Sequence, residues 1–548
     1  MNGISIQRLT ITLSMLLTFL LILTACGGGA GPAVSTATAN VPPRLAARQV
    51  LTFPNVGLAD SAALDPATVT DTNTNLILSM VYSGLVRLDS NLFVVPDQAT
   101  WRVSPDNKIY TFYLQPGIAF ADGTPVTAQT YVYSLTRALL PDVQSTNASF
   151  YEQSILGAND VVHGKTKTLA GVKALSSLTL QITLRQSTPY FLQVLTNSVF
   201  FPVNKQLVDQ YGQDKWTDHV VGNGIGTGPF MIQSWQHSVK MVLVPNPHYY
   251  GARTKLTQVN MIFVNDQGTA FTTYRAGQYD FAWNLTMADQ IPAKNLLGFT
   301  RVPQLETDVL FFNVNMPPFD NPIIRQAFAN AIDKQSLEHT VLNDSVISAP
   351  TIIPPSMPGY QPDYQGIPFN AALAKTLFQS VYPDPTTVPP MTFSYPSSAL
   401  PGQEVTALQN MWQNTLGISV TVHAVEPNAY NDELLKHQIQ LGFYQWNADY
   451  NDPYDVLAQY LLSTSSNNYG NWNSDSFDQL IKLTDRTSGD VRLELFHQAE
   501  QIAIQDVGWL PIDHGTLSAV IPPWVHGISL NAGGLFFGDW SDVYLLQH

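Results

Sequence analysis

The sequence predicts a multi-domain α/β protein, because strand-like and helix-like patterns are interspersed along a chain that is too long for one core. The chain has 548 residues, whereas a single domain usually holds about 100–200. Its apolar fraction of 45% is that of a globular protein. These observations predict the fold class and leave the function open.

The strand predictions come from alternation and from short apolar segments. Residues 108–114 and 178–184 alternate polar and apolar side chains, as half-buried strands do. Residues 241–244 and 259–263 are short apolar segments that are typical of further strands.

The helix predictions come from apolar residues that repeat every three or four positions. They cover residues 322–332, 371–378, 405–416 and 491–505. The third ends at Gly417, a residue type that often terminates helices. The expected apolar stripe of the last one consists of Leu493, Phe496, Ala499, Ile502 and Ala503.

The first 49 residues predict export and lipid attachment. Residues 11–23 form an apolar segment that is too short for a comfortable membrane span and follows a weakly positive start. The sequence Leu-Thr-Ala-Cys at 23–26 resembles the lipobox of bacterial lipoproteins, and Cys26 is the only cysteine. We therefore expect a signal peptide over 1–25, lipidation of Cys26 and a flexible tether over 26–49. The alternative is an ordinary signal peptide with an incidental cysteine.

Composition and motifs give no support to a nucleic-acid partner or an enzyme. The formal net charge is -15 and no basic stripe is present, whereas phosphate backbones need clustered Lys and Arg. No His-Glu-x-x-His pair and no Gly-x-Ser-x-Gly nucleophile elbow occurs. We predict no catalytic residue, no metal site and no cofactor.

A series of motifs, in order along the chain, resembles the family 5 extracellular solute-binding proteins of bacterial ABC importers. The motifs lie at 64–66 (LDP), 80–86 (MVYSGLV), 101–106 (WRVSPD), 120–128 (FADGTPVTA), 226–230 (GTGPF), 274–280 (YRAGQYD), 325–334 (RQAFANAIDK) and 446–453 (WNADYNDP). The resemblance runs from about residue 51 to the C-terminus. It is stronger for the oligopeptide-binding branch than for the other branches.

The resemblance implies a two-lobed clamp of the type II periplasmic-binding-protein class, with an extra domain inserted in the N-terminal lobe. The expected parts are lobe I over 50–81, 206–305 and 520–548, the inserted domain over 82–205, and lobe II over 306–519. Two hinge strands near residues 305 and 519 would connect the lobes.

The resemblance also implies a peptide site. In oligopeptide-binding members the aspartate of the "WxADYxDP" element pairs with the ligand's α-amino group, and that residue is Asp449 here; the alternative is that it caps a turn. Peptide main chain would pair with the backbone near Asp71 and Thr72 and with Gln445, Trp446 and Asn447. Trp446 could equally be core. Further aromatic candidates are Trp283, Trp472 and Tyr469; no motif singles out an arginine for a ligand carboxylate, although Arg325 is present.

The expected function is therefore capture of oligopeptides outside the cytoplasm by a monomer that touches the membrane only through its lipid. The expected partners are permease subunits with cytoplasmic ATPases. Alternatives are the same binding role for a nickel chelate, an oligosaccharide or a haem-like ligand, or a peptide-sensing lipoprotein. An exported peptidase is the least favoured.

Overall fold

A computed structural model gives the structure of the protein. It describes residues 44–548 except 58, 62, 146, 149–151, 399–401 and 537. The predicted signal peptide, Cys26 and most of the predicted tether therefore lie outside the described residues. In the described part, no helix has the length and apolar character needed to cross a membrane.

Strands and helices alternate along the whole described chain. The strands are β1 Val50–Val56, β2 Val86–Leu88, β3 Val94–Pro96, β4 Ala99–Val103, β5 Ile109–Leu114, β6 Val172–Ser176, β7 Thr179–Thr183, β8 Phe230–Gln236, β9 Lys240–Pro245, β10 Gln258–Val264, β11 Ala282–Trp283, β12 Phe299–Pro303, β13 Glu306–Phe312, β14 Ile347–Ser348, β15 Thr392–Pro396, β16 Thr421–Val425, β17 Leu441–Asn447, β18 Trp509–His514, β19 Thr516–Val520, β20 Val525–His526, β21 Ser529–Asn531, β22 Gly534–Phe536 and β23 Tyr544–Leu545. The α-helices are α1 Thr72–Val81, α2 Ala128–Ala138, α3 Ala158–Val162, α4 Phe191–Val194, α5 Lys205–Tyr211, α6 Gln267–Arg275, α7 Met287–Ala293, α8 Pro322–Asn330, α9 Lys334–Ser336, α10 Ala371–Val381, α11 Gly402–Leu416, α12 Pro427–Leu435, α13 Tyr454–Leu461, α14 Asp475–Thr484 and α15 Gly489–Gln505.

Three parts can be named by their sheets. The first lobe contains the sheet β1-β10-β9-β8 and the sheet β11-β19-β12. The inserted domain contains the sheet β4-β5-β7-β6, and the second lobe contains the mixed sheet β14-β18-β13-β17-β15-β16. The residue boundaries between these parts stay a prediction.

Each part has its own buried hydrophobic cluster, as expected when a chain exceeds what one core can hold. The first lobe packs Phe53, Met261 and Trp216, among others, and the inserted domain packs residues of 67–200. The second lobe has one cluster on each face of its sheet. One second-lobe residue, Tyr450, belongs instead to the cluster of the inserted domain.

The two lobes are joined by two short connections, which we call the strand crossing. Residues 304–305 connect β12 to β13, and residue 515 connects β18 to β19. The backbone N–H of Gln304 donates to the Gly515 carbonyl over 2.8 Å, and that of Leu305 donates to the Ala532 carbonyl over 2.9 Å. Both connections therefore lie side by side, at the end of the second lobe's sheet.

The strands and helices predicted from periodicity are confirmed. Residues 108–114, 178–184, 241–244 and 259–263 correspond to β5, β7, β9 and β10, and the helical patterns correspond to α8, α10, α11 and α15. Helix α11 ends at Leu416, and Gly417 follows with φ of +74°, a conformation that glycine adopts without strain.

The buried stripe of α15 differs from the expected one: Leu493 and Ile502 are only half-buried, Ile504 is buried in their place, and two charged residues join the stripe. Phe496, Ala499 and Ala503 are buried as predicted, and so are Arg492 and Glu500. Glu500 is fully buried because its carboxylate accepts hydrogen bonds from the backbone N–H groups of Ile352 and Ile353 at 2.8 and 2.7 Å. Periodicity assigns charged residues to solvent and so misses charges whose partners come from elsewhere in the chain.

The described chain begins inside the segment predicted as tether. Arg44 and Ala46 bond to the C-terminal residues: the Gln547 N–H donates to the Arg44 carbonyl at 2.9 Å, and the Ala46 N–H donates to the Leu545 carbonyl at 2.8 Å. The folded body thus includes residues of the predicted tether.

Candidate binding site

The segment predicted to face the ligand from the second lobe is the end of β17. This strand runs antiparallel to β13, with Gln445 opposite Asp308 and Asn447 opposite Glu306. Gln445 and Asn447 are exposed, and the Gln445 amide donates to a carboxylate oxygen of Glu306 at 3.2 Å. The segment therefore ends directly beside the strand crossing.

Asp449 follows in the loop between β17 and α13, and the residue is exposed. Its backbone N–H donates to Oδ2 of the buried Asp455 at 2.8 Å, which fixes the loop backbone. Burial, with a smaller contribution from the Asp449 charge, raises the pKa of the Tyr444 and Tyr460 hydroxyls. Asp449 thus presents negative charge close to aromatic rings.

Those rings form an aromatic cluster that sequence reasoning only partly found. Tyr469 was a candidate, whereas Tyr444, Tyr460 and Trp509 were not. The Tyr444 centroid lies 5.4 Å from that of Tyr460, 5.2 Å from Tyr469 and 6.0 Å from Trp509. Aromatic residues at helix and strand positions usually indicate a buried core. Only the neighbouring Asp449 distinguishes this cluster from an ordinary core.

Trp446 lies in the core. It is 1% exposed and packs in the second lobe's cluster, and its indole N–H has no hydrogen-bond partner in the described part of the chain. This is the core alternative weighed for that residue. A contact with ligand stays a prediction.

The other candidates are held by partners inside the protein. The Trp283 indole donates to the Pro54 carbonyl at 2.7 Å, and the Trp472 indole donates to Asp506 at 2.6 Å. Arg325 is buried and its guanidinium lies 3.2 Å from the same Asp506 carboxylate. These contacts give all three residues structural roles.

Asp71 and Thr72 stand at the start of α1, in the first lobe. Asp71 is the N-cap, and its carboxylate accepts from the Thr74 N–H at 2.7 Å. Both residues are exposed. Asp71 therefore has a clear structural function as a helix cap, and its role beside a peptide stays a prediction.

The strand crossing carries an unusual set of buried charges, contributed by β13, β18, α9 and α11. Burial raises the pKa of Glu306 and of Glu404 to about 7, and that of Asp308 and Asp513 well above the usual value. Neither carboxylate oxygen of Asp513 has a hydrogen-bond partner in the described chain. Burial lowers the pKa of Lys334, the cation nearest to Asp513, to about 7. Like charges so close together favour protonated carboxyl groups.

The Asp449 loop also contacts the inserted domain, through a set of side chains that we call the aromatic contact. The Tyr190 ring stacks on Tyr450, at 5.2 Å and 1° between the planes, and on Tyr454, at 4.6 Å and 25°. Arg492 lies 5.8 Å from the same ring and donates to both oxygens of Asp452, at 2.6 and 2.8 Å. The sequence offered no signal for this contact beyond the presence of the aromatic residues.

A polar cavity of about 640 Å³ adjoins the aromatic contact. Its lining includes Arg185 and Thr188 from the inserted domain, and Gln459 and Asn467 from the second lobe. No group of three or more His, Cys, Asp or Glu residues that could hold a metal ion occurs in the described chain.

The model of the family described as bacterial extracellular solute-binding proteins, family 5 Middle, matches residues 94–468. The chain is a family 5 extracellular solute-binding protein. This match confirms the family predicted from the motifs. Its members bind solutes, and the family places the protein outside the cytoplasm.

Relatives of this family 5 protein align over most of its length. The probable deoxycholate-binding periplasmic protein YgiS of Escherichia coli is 32% identical, over 90% of this chain and 92% of the relative. The periplasmic oligopeptide-binding protein OppA of Salmonella typhimurium is 30% identical, over 90% and 93%. OppA of Bacillus subtilis is 27% identical, over 97% of each.

Solved structures confirm the two-lobed α/β fold of this family 5 protein. The unliganded open form of the periplasmic murein tripeptide-binding protein MppA superposes with a TM-score of 0.80 at 28% identity, over 92% of this chain and 99% of that one. Another structure of the Escherichia coli protein MppA gives 0.73 at 28% identity, over 92% and 100%.

Proposed function

We propose that this protein captures peptides outside the cell by their α-amino group and delivers them to an ABC importer. The observation that carries the proposal is that Asp449 is an exposed residue beside the strand crossing, on a loop whose backbone is fixed by Asp455. An ammonium group that meets a carboxylate in a closing cleft forms charge-assisted hydrogen bonds, which are stronger than neutral ones. Relatives named for oligopeptide binding support the same ligand class.

Binding that is independent of peptide sequence needs main-chain pairing. The end of β17, with Gln445 and Asn447 exposed, is the second-lobe segment suited to it, and the backbone near Asp71 and Thr72 would serve from the first lobe. Trp446 would then support this strand from below.

A second ligand class deserves a direct comparison, because one relative is named for deoxycholate binding. Deoxycholate is an apolar anion without an amino group. The Asp449 carboxylate repels such a ligand and attracts an ammonium, so the local charge favours peptides.

Attachment to the membrane belongs to the proposal as well. Lipidation of Cys26 after removal of residues 1–25 would hold the protein at the membrane, near permease subunits driven by cytoplasmic ATPases. Mass spectrometry of the mature protein checks this: a diacylglyceryl-modified Cys26 at the N-terminus supports the anchor, and an unmodified thiol contradicts it.

The ligand is tested by thermal stabilisation of protein stripped of co-purified molecules. The ligands are a pool of peptides of two to six residues, the same pool N-acetylated, and deoxycholate. A ligand at 100 times its Kd adds about 2.7 kcal/mol to the free energy of unfolding. We expect the free pool to raise the Tm and the other two to leave it nearly unchanged.

Asp449→Asn isolates the anchor, since the variant keeps the backbone N–H that bonds to Asp455. Removal of one partner of a desolvated ion pair costs about 3–5 kcal/mol, so stabilisation by the free pool should disappear. Asp363→Asn, at another exposed aspartate, is the matched control and should behave as wild type. Equal stabilisation by both peptide pools would contradict the role of Asp449, and stabilisation by deoxycholate alone would contradict the peptide ligand.

A further inference from the structure

Tyr190 belongs to the inserted domain but its ring lies against the second lobe. Tyr190 directly precedes α4, whose first residue, Phe191, is fully buried in the inserted domain. Two residues earlier, the Thr188 carbonyl accepts a hydrogen bond from the Tyr110 hydroxyl at 2.9 Å. The base of Tyr190 is therefore fixed by the core of its own domain.

The two rings that stack on Tyr190 come from the Asp449 loop and the start of α13. Tyr450 and Tyr454 stack on its ring at 5.2 and 4.6 Å, and Tyr450 is buried within the inserted domain's cluster. Between them in sequence, the Asp452 carboxylate accepts from both terminal nitrogens of Arg492. It also accepts from the Tyr454 N–H at 3.0 Å.

Asp449 is thereby held from both sides along the chain. The preceding residue, Ala448, donates its N–H to the Leu305 carbonyl at 2.8 Å, at the strand crossing. The following residue, Tyr450, stacks on Tyr190. The neighbours of Asp449 thus contact both the strand crossing and the aromatic contact.

We propose that Tyr190 is a positioning residue for ligand binding, which places the Asp449 carboxylate by stacking on Tyr450 and Tyr454. The expected effect on ligand binding rests on the proposed function, the capture of α-amino groups at Asp449. Tyr190 acts through the loop and need not touch the ligand. By thermodynamic reciprocity, a ligand bound at Asp449 also stabilises the docked position of Tyr190.

The size of the effect follows from the stacking. Two aromatic contacts of this geometry together shift an equilibrium by roughly tenfold, and more where the rings are desolvated. Loss of the ring should therefore weaken ligand binding by about tenfold, without unfolding the inserted domain, because Tyr190 only borders its buried cluster.

The test compares Tyr190→Leu, which removes the ring, with Tyr190→Phe, which keeps it. Tyr113→Leu, at an exposed tyrosine on β5 away from this contact, is the matched control. The first measurement is amide hydrogen exchange of residues 449–455 in ligand-free protein. The second is the Kd for tri-alanine, measured by calorimetry.

We expect Tyr190→Leu to speed exchange at the amides of Asp449, Tyr454 and Asp455 and to weaken tri-alanine binding about tenfold. Tyr190→Phe should restore both, and Tyr113→Leu should change neither. Unchanged exchange in Tyr190→Leu, or faster exchange with an unchanged Kd, would overturn the proposal. The proposal would also be overturned if Tyr190→Phe failed to restore the wild-type values, because the effect would then come from the Tyr190 hydroxyl and not from stacking of its ring.

Two further measurements keep the result decisive. If Tyr190→Leu does not fold, Tyr454→Leu removes one of the two stacked contacts and should change amide exchange and the Kd in the same directions by a smaller factor. If wild-type protein binds no tri-alanine, the proposed ligand is wrong, and the exchange comparison, which needs no ligand, decides on its own whether Tyr190 positions the loop.

Discussion

Two of the places where the second lobe meets the rest of the protein are built in opposite ways. At the strand crossing the chain is continuous, and the buried charges are mainly carboxylates, of which Asp513 has no hydrogen-bond partner in the described chain. At the aromatic contact no backbone crosses from Tyr190 to the loop that receives it, and the buried charges Arg492 and Asp452 match each other.

This difference shows two uses of buried charge in a protein with only 12% charged residues. The matched pair needs both members and fixes one loop geometry. The carboxyl groups at the strand crossing outnumber the cations there and are tolerated because they are protonated. The stability of the strand crossing should therefore depend on pH. The following predictions test this contrast.

The largest effect is expected from Arg492→Met, which leaves the buried Asp452 without its cation. The expected loss is about 3–5 kcal/mol in the free energy of unfolding, measured with urea. Arg486→Met, at an exposed arginine just before α15, should cost little. Adding Asp452→Asn should recover much of the loss; if it does not, packing of the Arg492 stem and not its charge is responsible.

The second prediction concerns pH and Asp513. The folded protein keeps the proton of Asp513 above the usual pKa of 3.8, at which the unfolded chain releases it. For each proton that the folded protein keeps and the unfolded chain has released, the free energy of unfolding falls by about 1.4 kcal/mol per pH unit as the pH rises. We therefore expect wild-type stability to fall between pH 5 and pH 7, where Glu306 and Glu404 act in the same direction.

Asp513→Asn should give a shallower slope and the more stable protein at pH 7, measured by urea unfolding at both pH values. His514, whose pKa burial lowers to about 3, acts in the opposite direction below pH 6.5 but is present in both proteins. Lys334 acts mainly above pH 7. Parallel slopes for variant and wild type would show that Asp513 is ionised in the folded protein.

The smallest effect is expected from Gly515→Ala at the crossing. An added Cβ would lie 2.2 Å from a carboxylate oxygen of Glu306, which is the flexible end of its side chain. A displaced rotamer costs about 0.5–1.5 kcal/mol. Gly402→Ala, with open space around its Cβ, is the control. A loss well above that range would show that Glu306 cannot move and that the crossing is rigid.

Local patterns in the sequence were sufficient for most regular elements. Alternation located β5 and β7, and Gly417 marked the end of α11, because these features depend on neighbours in the chain. The motifs were sufficient for the family and the two-lobed fold. The Asp449 loop was also found by its motif, and its geometry is compatible with the predicted role, which stays untested.

The contacts that could not be predicted join residues far apart in the chain. Arg492 interrupts an apolar stripe, and only Asp452, 40 residues away, explains it. Tyr190 and Tyr450 come together from different domains, and the carboxyl groups of Glu306, Glu404 and Asp513 lie far apart in the sequence. Single-sequence periodicity carries no information on such contacts.

The interleaving of the chain at the strand crossing has a consequence for the order of synthesis and folding. The second lobe's sheet uses strands from one continuous stretch, β13 to β18, whereas the first lobe needs β19 and the hydrogen bond from Gln49 to Leu545, which are 496 residues apart. Contacts of such separation form late, because a long loop must close first. The half of the cleft that carries Asp449 can therefore form while the other half still awaits the end of the chain.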